Sequence, residues 1–472
     1  MKSNIRACSK SCRLFFVRYL MVDLLPIPSM LPINYLYWIF KPLLKLSWRT
    51  AYSIKITGKE NIDLKKPTLI VANHTNAVID PIAIAANVKR GVFFLARGDA
   101  FANDFLKWLL WQYHIIPIYR KEECDDNLEK NQVTFGRMFE LFDKARPVLI
   151  FSEGKCIQEK TIRNFRKGTA HIAVDYANEK ADRSKLHIQP VGLNYHLYNK
   201  FRADLIINFG VPFTLQDLNL QDINSKESIQ LITDKTHEKL AECMIIQTET
   251  DLYGMEIAAE EMAGDELAKQ FKKKSAVQNL FDMRAHITKQ LALRYTTQKE
   301  NFLSFKNELT QFENKLAAYK IPLNIFNKNK ASWFLLSVGL LFSFPVFAAG
   351  FILNAIPFFL PKIIVEKKVK NPVFESTVRV VLGMFLFLIS HVCYFFFLPI
   401  IFDAETYVQK VSIALGAVVF AYYSGLFAYY WYQSFKSVKG FFTLLSLDKN
   451  ERNELMALHQ SCKKWLLKNL SV

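Results

Sequence analysis

The chain has 472 residues, 51% of them hydrophobic and 14% aromatic, with a formal net charge of +18. That length allows about two or three domain-sized units with a large core, and the apolar excess lies before residue 50 and after residue 332, around a middle that reads as a globular enzyme. The basic residues form no dense blocks interleaved with aromatics, which argues against nucleic acid and for anionic lipid headgroups and acidic substrates; seven scattered cysteines imply neither a disulfide framework nor a zinc site.

Residues 1–50 read as a membrane-associated segment. Its apolar stretch is interrupted by Asp23, Pro26, Pro28 and Pro32 and has no small-residue cleavage site, so it is expected to be retained rather than removed as a signal peptide. From residue 34 to 50, Lys41, Lys45 and Arg49 recur every four residues, with Trp38, Phe40, Leu43, Leu44 and Trp48 between them. A basic stripe with Trp anchors predicts an amphipathic helix lying in a membrane surface, bent or restarted at Pro42.

Residues 51–213 alternate short apolar runs with helical patterns. The strand candidates are Ser53–Ile56, Thr68–Ala72, Val92–Ala96, Ile115–Tyr119, Val148–Phe151, His187–Leu193 and Leu205–Phe209. Helical patterns fall near 81–89, 100–113, 130–145 and 168–180. Continuous apolar runs are what strands covered on both faces require. The order predicts an α/β domain with a largely parallel central sheet flanked by helices, its active site where strand C-terminal ends meet helix N-termini.

Residues 214–330 read as a charged, solvated helical connector without chemistry of its own. Residues 331–440 carry three apolar blocks, 332–361, 376–401 and 411–434. Lys328 and Lys330 precede the first block and Lys362, Lys367, Lys368 and Lys370 follow it; Asp403 and Glu405 separate the second and third. Basic flanks favour the cytoplasmic side, so the first block is expected to be a helical hairpin bent near Pro345–Gly350, with the other two blocks crossing out and back. Residues 441–472 are then a cytoplasmic helix, and the chain is an integral membrane protein with its catalytic domain on the cytoplasmic face.

The chemistry concentrates at strand ends. The run Leu69–Ala72 ends in Asn73 and His74, and Asp80–Pro81 opens a helix six residues later. A neutral imidazole held by a carboxylate is a general base near neutral pH. Three more blocks follow in order: Ile116–Arg120, Phe151–Lys155 with Phe165–Gly168 after it, and Gln189–Gly192. Arg120 offers a bidentate fork for phosphate, Lys155, Arg166 and Lys167 add positive charge, and Gly168 at a helix start can present N–H groups. No Gly-x-Ser-x-Gly elbow surrounds Ser152 or Cys156, so no serine or cysteine nucleophile is evident. The histidines outside this turn lack partners at metal-ligand spacing, and no metal is expected.

Together these blocks resemble the glycerolipid acyltransferase superfamily, over about residues 51–213. The resemblance implies a catalytic His74–Asp80 pair, a phosphate-binding Arg120, an acceptor-binding turn at Glu153 and Gly154, and a proline-bearing fourth block at Pro190. His74-Thr75-Asn76 matches a His-x-Asn core, which brings Asn76 into the substrate site. Five residues separate His74 from Asp80 where four are usual, and Phe151-Ser152-Glu153-Gly154-Lys155 replaces the usual Phe-Pro-Glu-Gly-Thr. The usual glycine ahead of the second-block arginine is missing from Gln112–His114. The implied reaction moves a fatty acyl group from acyl-CoA or acyl carrier protein, a cosubstrate rather than a cofactor, to a hydroxyl of glycerol-3-phosphate, lysophosphatidate or another lysolipid among membrane lipids. A membrane scaffold or transporter with an acyltransferase-like domain is the alternative, and the spans carry few of the charges that transport uses.

Overall fold

The computed structural model describes residues 35–101, 103–119, 127–179, 185–249, 252–272, 275–403 and 405–471. Arg120 and the interrupted stretch 14–34 lie outside them. The first helix, α1 (Tyr35–Ala51), runs unbroken through Pro42. It buries Tyr37 and Trp48 and exposes Tyr35, Trp38, Ile39 and Leu46. Lys41 departs from the expected lipid-facing stripe: its Nζ donates to Val88 O at 3.0 Å and Arg90 O at 3.1 Å, tying the helix to the globular body.

The central layer is a seven-stranded sheet of β1 (Ser53–Thr57), β2 (Thr68–Ala72), β3 (Phe93–Arg97), β4 (Ile115–Ile118), β5 (Val148–Ile150), β6 (His187–Tyr195) and β7 (Asp204–Phe209). Their order is β1-β7-β6-β2-β5-β3-β4, parallel except for the β6–β7 pair. All seven strands match the expected runs. Every residue of β2 is buried, because β2 lies mid-sheet between β5 and β6 and is covered on both faces. Pro190 interrupts β6 without cost: it falls between the Ile188–Phe213 bridge and the Val191–Phe209 pair, where the strand needs no donor.

The connecting helices are α2 (Ile79–Asn87), α3 (Asp104–Gln112), α4 (Asn127–Asp143) and α5 (Gly168–Glu179). Beyond the sheet follow α6 (Lys226–Ala241), α7 (Met255–Ala268), α8 (Ala276–Thr297) and α9 (Lys299–Tyr319). This region is not the solvated connector expected from its charge. Phe302, Phe305, Leu309, Phe312 and Leu316 recur along one face of α9 and enter a buried core with Met262, Ile287 and Leu291. Two buried ion pairs fasten this bundle to the sheet domain, Arg284–Asp204 at 2.7 Å and Lys160–Glu256 at 2.9 Å.

Among the described residues, three helices are long and apolar enough to cross a membrane: α10 (Lys330–Lys368), α11 (Pro372–Ile401) and α12 (Tyr407–Ser446). The hairpin expected over 332–361 is instead one continuous helix, with Pro345, Pro357 and Pro361 inside it. Gly350 serves packing rather than a turn: a Cβ there would lie 2.1 Å from the Ser424 carbonyl oxygen of α12. The last helix, α13 (Lys449–Leu470), returns to the α7–α9 bundle.

Candidate active site

β2 delivers the site from the middle of the sheet. Beyond its last residue, Asn73 continues the ladder through its side chain: Nδ2 donates to Leu193 O at 3.0 Å, and Oδ1 accepts from Leu193 N at 2.7 Å. His74 comes next and turns into a loop that leads straight into α2. Asp80, in the first turn of α2, is fully buried. His74 Nδ1 lies 2.9 Å from Asp80 Oδ2. The backbone N–H groups of Thr75 and Asn76 donate to the same oxygen at 2.7 Å each, and Tyr195 OH donates to Oδ1 at 2.8 Å. Two oxygens thus take four contacts, and the carboxylate has no freedom to rotate.

With Nδ1 held by Asp80, Nε2 is the imidazole nitrogen left for chemistry. The ring stacks on Phe151 at a centroid distance of 4.0 Å, and the side chain keeps 20% of its surface exposed. Burial pulls the His74 pKa down, but the hydrogen bonds and charges of Asp80 and Cys156 outweigh it and the value is pushed up to about 9. Tyr195 is buried beside Asp80, and its pKa is driven well above the usual phenol value by burial and by that charge.

The extra residue between His74 and Asp80 is absorbed locally. Ala77 adopts a left-handed φ of 31°, and its N–H donates to Cys156 Sγ at 3.0 Å. Cys156 also comes close to the pair: a ring nitrogen, a carboxylate oxygen and the thiol all lie within 4.8 Å of one another. Asp80 has spent its oxygens on N–H and O–H donors, so this trio is a hydrogen-bonded relay rather than a cation cage.

The β5 end supplies the second wall. Ser152 Oγ meets Thr169 Oγ1 at 2.5 Å, which pins the start of α5 to the strand end. Gly154 has a φ of 67°, and a Cβ on it would sit 2.8 Å from Arg166 Nε, so Arg166 packs across that bare face. Glu153 is buried and bound by Arg163, whose Nε donates to Oε2 at 2.7 Å. Burial raises the Glu153 pKa, and the Arg163 charge opposes that rise. Arg163 also donates to His74 O and Lys155 O at 3.4 Å each, so it braces the two loops together.

Of the expected residues, the structure brings His74, Asn76, Asp80, Glu153 and Gly154 to one place. Lys155, Arg166 and Lys167 are exposed, and Gly168 starts α5 beside them. Asn76 turns inward, its Nδ2 3.5 Å from Tyr52 OH. Pro190 is buried at the level of Val71, within the sheet. Sequence reasoning singled out neither Tyr195 nor Arg163. Only a partner search outward from the buried Asp80 and Glu153 carboxylates could have found them.

A family model described as Acyltransferase matches residues 53–194, from β1 into β6 with both walls of this site. That match agrees with the resemblance carried by the motif blocks. Curated proteins similar to this chain are glycerophosphate acyltransferases. The 1-acyl-sn-glycerol-3-phosphate acyltransferase of Borreliella burgdorferi is 23% identical over 199 residues, 41% of this chain and 74% of that protein. Glycerol-3-phosphate O-acyltransferase 1 of Saccharomyces cerevisiae is 22% identical over 267 residues, 52% of this chain but 33% of the yeast protein. Among solved structures, the 1-acyl-sn-glycerophosphate (LPA) acyltransferase PlsC of Thermotoga maritima matches 48% of this chain and 89% of its own, at 14% identity and a TM-score of 0.32.

Proposed function

We propose that this acyltransferase moves a fatty acyl group from an acyl-CoA or acyl carrier protein thioester to a hydroxyl of 1-acylglycerol-3-phosphate or glycerol-3-phosphate, in phospholipid biosynthesis, with His74 as general base. The supporting observation is the held imidazole: Nδ1 lies on a fully buried carboxylate while the side chain stays 20% exposed. In this reading Nε2 takes the acceptor hydroxyl proton as the oxygen attacks the thioester carbonyl carbon. The tetrahedral adduct collapses, the C–S bond breaks, and His74 returns the proton to the departing thiolate. Asp80 holds the tautomer and offsets the imidazolium charge. No cofactor beyond the acyl carrier is needed.

The exposed cations Lys155, Arg166 and Lys167, together with the first N–H groups of α5, would meet the acceptor phosphate. Arg120 is proposed for the same anion from its block alone. The basic flanks of α10 favour a catalytic domain on the cytoplasmic face. The test is radiolabelled acyl transfer in membranes, wild type beside His74→Ala, with each acceptor offered separately. The reading expects one acceptor to be labelled and His74→Ala to lower that rate by about 100- to 10,000-fold. Unchanged transfer by His74→Ala would remove His74 as the base, and labelling of neither acceptor would remove both acceptors.

A further inference from the structure

The chain segments on either side of the apolar helices share one core. Phe302, Phe305 and Phe312 of α9 precede α10, and Leu455, Cys462 and Leu466 of α13 follow α12, yet all six are buried together. Phe305 and Trp465 stack at 3.9 Å, and Lys315 pairs with Glu454 at 2.6 Å. The chain therefore enters and leaves the apolar region on the same side of any membrane. Three single crossings are an odd number and would separate α9 from α13.

The junction between α10 and α11 identifies the helix that does not cross. Pro372 O accepts from Gln158 Nε2 at 3.1 Å, Glu375 accepts from Asn199 at 3.0 Å, and Arg379 donates to Asn199 O at 2.7 Å. Those partners lie on loops of the catalytic sheet. The other end of α10 is anchored in the helical bundle, where Trp333 and Leu340 join its core. Sheet and bundle are one fastened body through Arg284–Asp204 and Lys160–Glu256. Both ends of α10 are thus docked to one body, although its 39 residues span roughly 58 Å, about twice a hydrocarbon core.

We infer that α10 does not cross the membrane but lies along one leaflet, with both ends on the catalytic side. Its buried residues Leu340, Gly350, Asn354, Pro357, Pro361 and Val365 form a stripe toward the protein. Opposite them, Leu335, Phe342, Ile352 and Ile356 are exposed and suit acyl chains. Lys328 and Lys330 at one end, and Lys367, Lys368 and Lys370 at the other, sit where in-plane ends meet anionic headgroups. The occupant of this face is one leaflet of a bilayer carrying anionic lipid.

Single cysteines at Lys330, Lys367, Lys370 and Lys449, in full-length protein carrying Cys393→Ser, test this in sealed vesicles of phosphatidylcholine and phosphatidylglycerol. A membrane-impermeant maleimide is applied before and after detergent, and labelling of the parent is subtracted. All four sites are expected to react to the same fraction before detergent, because all lie on the side of the catalytic sheet. Protection of Lys367→Cys and Lys370→Cys while Lys330→Cys and Lys449→Cys react would place the far end of α10 across the membrane and overturn the inference. Having two reporters at that end keeps the test intact if one variant misfolds.

Discussion

Asp80→Asn isolates the charge of the carboxylate from its geometry. The amide oxygen can keep the corner where Thr75 N, Asn76 N and His74 Nδ1 converge, while the amide NH2 faces Tyr195 OH, which turns to accept. The loop and the imidazole tautomer survive, and only the negative charge is lost. In the native site, burial lowers the His74 pKa, but Asp80, with Cys156 beside it, lifts it from 6.5 to about 9. That rise is ~2.5 pH units, or ~3 kcal/mol of preference for the imidazolium. A transition state with the proton half transferred feels about half of it, so kcat/KM should fall by about 10-fold, and by up to ~300-fold if transfer is complete. The assay is kcat/KM for acyl transfer against pH, from about 5 to about 10, on both proteins. The wild-type rate should climb with pH toward about 9, as the raised base loses its proton. In Asp80→Asn that limb should move to lower pH, because burial is then opposed by Cys156 without the Asp80 charge. A limb that stays in place would refute the claim that the Asp80 charge sets the basicity of His74.

Two further outcomes are expected. Tyr195→Phe removes the donor on Asp80 Oδ1, leaves the carboxylate a stronger partner for His74, and should shift the same limb upward with an about 3- to 10-fold loss of kcat/KM at neutral pH. Arg284→Ala removes the cation shared by part-buried Asp204 and Glu260, leaving Lys55 on Asp204, and should destabilise the protein by about 1–3 kcal/mol, read as a lower Tm in detergent that Arg284→Lys partly restores.

The strands were legible because each is an apolar run short enough to be nothing else, and β2 with all five residues buried is the clearest case. His74 and Asp80 were legible because a strand end and a helix start bracket them. The partners of Asp80 were not, since Tyr195 lies 115 residues away and nothing local marks a phenol as a donor. Arg163 was not legible because its partner Glu153 is buried only by the fold. The α7–α9 bundle was hidden by its charge, although Phe302, Phe305, Leu309 and Phe312 already keep a helical period. In α10, proline and glycine read as a bend, yet Gly350 marks the contact with Ser424. Local punctuation cannot tell a turn from a close helix crossing.

The left-handed Ala77 shows that the distance from His74 to Asp80 is fixed by the reach of one carboxylate, not by a residue count. One backbone flip takes up the added residue while both backbone donors stay on Oδ2. Length in this turn can therefore drift between lineages without disturbing the proton relay. A pattern search written around a fixed histidine-to-aspartate interval would pass over such chains, while one anchored on the Asn–His strand end and a buried helix-start acid would retrieve them.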